Sequence, residues 1–99
     1  MMRNRDEVLE AIRHNRDTIK GFGVRRIGLF GSAARNQATA SSDLDFLVEF
    51  EKKTFDNYMD LKFFLEDLFD CHVDLVMPHT IKQALKETIL SQTVYAPPF

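Results

Sequence analysis

The sequence has a single cysteine, no tryptophan, four glycines and three prolines. It also lacks any apolar run approaching the roughly 18 residues of a membrane span. Cys71 alone can neither close an internal disulfide nor build a thiolate metal site, which excludes a disulfide-stapled scaffold and suits a reducing cytoplasm. The N-terminus, MMRNRDEV, has no apolar segment behind its positive charges, so neither export nor membrane insertion is expected. An excess of one charge sign is missing too, since the net charge is −2. That figure hides an asymmetry: residues 1–35 carry eight basic and four acidic side chains, and residues 36–99 carry five and eleven. Without a basic and aromatic stripe, direct nucleic-acid binding is not expected, because that affinity comes largely from neutralising phosphates.

What is present is 99 residues, 44% hydrophobic and 28% charged, the balance of a globular chain. This length gives one small core, and we expect one domain over residues 1–99 with no second domain to close over a ligand.

Asn4 followed by Asp6 and Glu7 reads as a capped helix start, and Val8, Leu9, Ile12 and Ile19 recur at helical spacing, predicting a helix over residues 5–20. Residues 24–30, short and apolar at both ends, read as a buried strand stopped by Gly31. Ser32 then suits the N-cap of a brief helical turn through Ala33, Ala34 and Arg35, followed by a loop over residues 36–42. Residues 43–50 alternate, with Leu44, Phe46, Val48 and Phe50 on one face and Asp43, Asp45, Leu47 and Glu49 on the other. Tyr58, Leu61, Leu65, Leu68 and Phe69 predict a helix over residues 55–69, and residues 72–77 a third strand. Thr80 with Gln83 resembles a capping box for a last helix bearing Ile81, Ala84, Leu85 and Ile89, and the tail from Val94 is either an edge strand or loose. The fold class expected is α/β, a small mixed sheet flanked by helices in the order α-β-α-β-α-β-α. The short link between the first two strands permits an antiparallel pair, and the helix between the second and third suits a parallel crossover.

Three aspartates stand where a solvated face would not need them. Asp43 and Asp45 point the same way from one strand, and Asp74 lies on another between apolar residues. If those strands are neighbours, the three carboxylates would repel one another unless a cation sat between them, and magnesium, which takes carboxylate oxygens and is completed by substrate phosphates, suits them. Upstream, Gly31 and Ser32 occupy a strand-end turn where the backbone can approach a ligand, and Arg35 can add a bidentate charge to a phosphate cradle there. By contrast, Arg25 and Arg26 read as solvated charges, His14, His72 and His79 as histidines without convergent partners, and Cys71 as a small apolar group. Phe55, Tyr58 and Phe63, where left exposed by the helix, form a candidate partner patch.

Phe30-Gly31-Ser32-Ala33-Ala34-Arg35, Ser42-Asp43-Leu44-Asp45-Phe46-Leu47-Val48 and Val73-Asp74-Leu75-Val76 together resemble the signature of the DNA polymerase beta nucleotidyltransferase superfamily. The element order is similar over about residues 22–90, and the short form is similar to the minimal nucleotidyltransferases, small proteins that serve as antitoxins of HEPN-type RNase toxins. The resemblance implies a polymerase beta-like fold, two magnesium ions on Asp43 and Asp45, and Asp74 joining on the acceptor side to help deprotonate the attacking hydroxyl. It implies that Gly31 and Ser32 hold the β and γ phosphates of ATP, and that AMP passes to a tyrosine of the toxin. Asn36 departs from the glycine of many relatives, but asparagine tolerates positive φ. A chain without an acceptor domain implies a homodimer or a complex with another protein. Two other readings stay open: an antitoxin that binds nucleotide and masks its partner sterically, and transfer to a small hydroxylated molecule.

Overall fold

The structure is a computed structural model that describes residues 4–37 and 43–97; the expected loop beyond Gln37, with Ser42, and the last two residues lie outside that range. Helix α1 (Arg5–His14) begins at Asn4, whose side-chain oxygen accepts from the Glu7 amide at 2.8 Å while its amide group donates to the Glu7 carboxylate, the reciprocal cap expected. The helix expected over residues 5–20 is divided. Asn15 turns its side-chain amide onto the Ala11 carbonyl at 2.8 Å and leaves helical geometry at φ −108°, and α2 (Arg16–Gly21) starts anew.

Strands β1 (Val24–Phe30) and β2 (Leu44–Phe50) pair antiparallel, and β3 (Val73–Val76) pairs parallel with β2 after the crossover helix α3 (Phe55–Phe69). The tail forms an edge strand, β4 (Val94–Tyr95), antiparallel to β1, so the sheet runs β3-β2-β1-β4. Gly28 makes that pairing possible, because a Cβ there would stand 2.6 Å from Thr93 Cγ2 and 2.9 Å from Tyr95 Cδ1.

One sheet face carries the core. Leu44, Phe46 and Val48 are fully buried with Ile27 and Leu29 of β1, Val8, Ile12 and Ile19 of the first two helices, and Leu61 and Leu65 of α3. Phe46 stacks on Phe69 at 5.9 Å, closing the end of α3 onto the sheet. Leu68, by contrast, falls at the margin of the apolar stripe and stays exposed. Leu47, on the second sheet face, is also buried.

Three expectations change. Residues 32–37 form hydrogen-bonded turns rather than a helical turn capped by Ser32, because Asn36 at φ 57° reverses the chain. Thr80 is no helix cap: Pro78 starts a 3-10 turn (Pro78–Thr80), the Thr80 hydroxyl goes to the Met77 carbonyl at 2.8 Å, and α4 (Gln83–Gln92) begins after Lys82 without a side-chain cap. Nor does α4 bury an apolar stripe, since Ala84 and Leu85 are exposed and it has no buried residue. Among the described residues no helix is long and apolar enough to cross a membrane.

Candidate active site

Three strand ends meet at one edge of the core. Phe30, the last residue of β1, is paired with Asp45 of β2, and Asp45 is in turn paired with Asp74 of β3. Asp43 lies two residues before Asp45, on the same face. The fold thus brings Asp43, Asp45 and Asp74 together.

Gly31 follows Phe30 at φ 76°, a conformation that favours glycine, and a Cβ on it would collide with the Asp45 carboxylate, whose Cγ would lie 3.3 Å away. The turn and the carboxylate therefore need each other's shape. Beyond Gly31, the Ser32 carbonyl accepts from the amides of Arg35 at 3.2 Å and Gln37 at 2.8 Å, folding the chain back over Gly31-Ser32. Asn36 uses its side chain as well: its Oδ1 accepts from the Arg5 amide at 2.8 Å, tying the turn to the start of α1, which glycine could not do. Arg35 is exposed, with Nε 3.1 Å from Gln37 Oε1 and Nη1 3.4 Å from Gln92 Oε1.

Asp45 is half-buried, and its carboxyl is pushed up from the ordinary carboxylate range. Burial is the main cause, followed by the charges of Asp74 and Asp43 and a hydrogen bond with Asp74, with His72 pulling the other way. Oxygen donors converging in this way, with one of them driven towards protonation, fit a hard divalent cation, which would relieve the repulsion. Asp43 and Asp74 could hold one, with Asp45 paired beside Asp74.

Sequence reasoning missed His72. Its Nδ1 lies 3.6 Å from Asp43 Oδ2 and 3.8 Å from Asp74 Oδ1. The ligand atoms of Asp43, His72 and Asp74 all fall within 4.8 Å of one another. The signal was available, since His72 is two residues before Asp74 and therefore on its face of the strand. Arg25 and Arg26 are exposed, as expected, and both also reach Glu49, with Arg26 3.4 Å above the Tyr95 ring. With Tyr95 and Ala96 they line a hollow of about 360 Å³ at Glu49, four residues along β2 from Asp45. His14 pairs with Glu10 at 3.1 Å, and Cys71 packs partly buried against the core.

The profile of the nucleotidyltransferase domain family matches residues 6–96. Over 83 residues the chain is 40% identical to the protein adenylyltransferase MntA of Thermococcus cleftensis, covering 83% of this chain and 84% of that one. A solved structure of a proposed minimal nucleotidyltransferase superposes with a TM-score of 0.70 at 35% identity, over 87% of this chain and 93% of its own. A chain of a toxin-antitoxin structure with AMP-PNP matches with a TM-score of 0.66 over 97% of this chain and 74% of its own; at 22% identity, this is a likeness of fold.

Proposed function

The chain belongs to the nucleotidyltransferase domain family, and from that membership we propose that it transfers AMP from ATP to a hydroxyl of a partner protein, a tyrosine, as the antitoxin of a HEPN-type RNase toxin. The observation that carries the reading is the pairing of Asp45 with Asp74 beside a turn whose glycine is shaped around Asp45. Protein modification is supported by the name of the 40% identical relative, and a protein partner by the toxin-antitoxin structure that shares the fold.

In this reading Asp43, Asp45 and Asp74 hold magnesium, two ions, which would neutralise charge on the attacking and leaving oxygens of an in-line displacement. Gly31 lets the β and γ phosphates approach the backbone of the turn, Ser32 offers a hydroxyl to them, and Arg35 offers a guanidinium. Asp74 takes the proton of the acceptor hydroxyl as its oxygen bonds to the α-phosphorus; the bond from that phosphorus to the bridging oxygen breaks, and pyrophosphate leaves.

The test is incubation with magnesium, α-labelled ATP and the product of the adjacent gene, with the Asp43→Ala, Asp45→Ala variant in parallel. Label on the partner with the wild type alone is the expected result. A stable complex that neutralises the partner equally well with the variant, without label, would establish steric masking instead.

A further inference from the structure

We propose that His72 is a metal ligand, contributing an imidazole nitrogen on the Asp43–Asp74 side of the carboxylate cluster and making that position prefer manganese, cobalt or zinc to magnesium. The proposal rests on the reading of Asp43, Asp45 and Asp74 as metal-holding residues and assigns a donor to them that the carboxylate pattern does not contain.

The geometry comes from the parallel ladder. Leu44 is paired with Val73 and Asp45 with Asp74, so the same register, carried one step back, sets Asp43 opposite His72. Four side chains then form a rectangle on one face, with carboxylates at three corners and an imidazole at the fourth. The backbone at His72 is pinned on both sides: its carbonyl accepts from the Leu44 amide at 3.1 Å, and the next amide, that of Val73, donates to the Glu66 carboxylate at 3.2 Å. The side chain is about half exposed, so packing does not force it towards the aspartates.

The distances place the imidazole between two carboxylates, hydrogen-bonded to neither. At 3.6 and 3.8 Å, Nδ1 is beyond the roughly 2.7–3.2 Å of an N–H···O hydrogen bond to either carboxylate. Two donor atoms on one divalent ion, each with a bond of about 2.0–2.2 Å, stand roughly 3.0–3.5 Å apart; the three donor atoms here, within 4.8 Å of one another, would draw closer to close on an ion. Nitrogen changes the selectivity. Magnesium favours oxygen and sheds water reluctantly, whereas imidazole suits the later first-row ions. A mixed set of two carboxylates and one imidazole therefore tilts the site away from magnesium.

The experiment loads the full chain with Mn2+ and compares it with the His72→Gln variant, an exposed substitution whose metal-free melting temperature serves as the folding control. Electron spin-echo modulation from a directly bound 14N is expected in the wild type and absent in the variant. Mn2+ affinity is expected to fall at least about tenfold in the variant, with Mg2+ affinity little changed. An Mn2+-loaded wild type without 14N modulation, or an unchanged Mn2+ to Mg2+ preference in the variant, would overturn the role of His72 and leave the carboxylates as an all-oxygen site. Failure of the wild type to bind either ion, with ATP present as well as without it, would overturn the metal-holding reading itself.

Discussion

Asp45 stands under two opposed demands, since the same neighbours that make it a candidate metal ligand make its charge costly when no metal is bound. Its carboxyl is raised by burial and by Asp74 and Asp43, so the folded chain holds that proton more tightly than the unfolded chain does. The stabilising contribution of protonated Asp45 is complete below the ordinary carboxylate range and is lost as pH rises through the raised value. Asp45→Asn, neutral throughout, is therefore expected to melt higher than the wild type near pH 7 in EDTA, with the advantage shrinking as pH falls towards 4. The same variant is expected to lose nucleotidyl transfer. Melting curves across pH check the first half, and equal stabilities at pH 7 would mean that the repulsion is relieved by some other means. At this scale the sequence is informative where a residue type is demanding: Gly31, Asp43, Asp45 and Asp74 stand out by type and spacing alone. His72 does not, because a histidine has many ordinary uses and only the register of β2 against β3 shows what it faces.

Among the elements, those with an uninterrupted period are legible. β2 follows from its alternation and α3 from its three-and-four spacing, with the end residues of α3 as expected. Where an element departs from expectation, a local feature competes with the regular backbone pattern at three places. Asn15 caps Ala11 and splits the first helix; Asn36 reverses the turn after β1; the Thr80 hydroxyl bonds Met77 within a 3-10 turn that Pro78 sets up. Two threonines make the point measurable. The Thr54 hydroxyl accepts from the Asn57 amide at 3.0 Å at the start of α3, a helix anchored by buried Leu61 and Leu65, whereas Thr80 carries a capping signal in its sequence context and does not cap α4. Thr54→Ala is expected to cost about 1 kcal/mol in denaturant unfolding, and Thr80→Ala clearly less. Equal losses would mean that the cap of α3 contributes little beyond a single surface hydrogen bond.

For the molecule as a whole, the strand order β3-β2-β1-β4 decides everything about the site, and it is not legible in the sequence. Periodicity shows which face of a strand is buried but not which strand lies beside it, and connection length allows antiparallel and parallel pairs without requiring them. Once that order is set, the end of β1, the start of β2 and the start of β3 converge, and the residues gathered there come from segments far apart in sequence. A cation bound among Asp43, Asp45 and Asp74 would therefore clamp β2 to β3 across the parallel ladder, and its binding would register as global stability, because the unfolded chain does not keep those carboxylates together. At free metal one hundred times its dissociation constant, the gain is about 2.7 kcal/mol, which in a chain of this size corresponds to a rise of roughly 10–20 °C in melting temperature. Adding magnesium or manganese to EDTA-treated protein is expected to produce a shift of that order in the wild type and none in the Asp43→Ala, Asp45→Ala variant. In excess metal, the order of wild type and Asp45→Asn should then reverse, with the wild type melting higher. A melting temperature that ignores metal while labelled AMP is still transferred would mean that the cation arrives with the nucleotide rather than before it, held by the phosphates as much as by the protein.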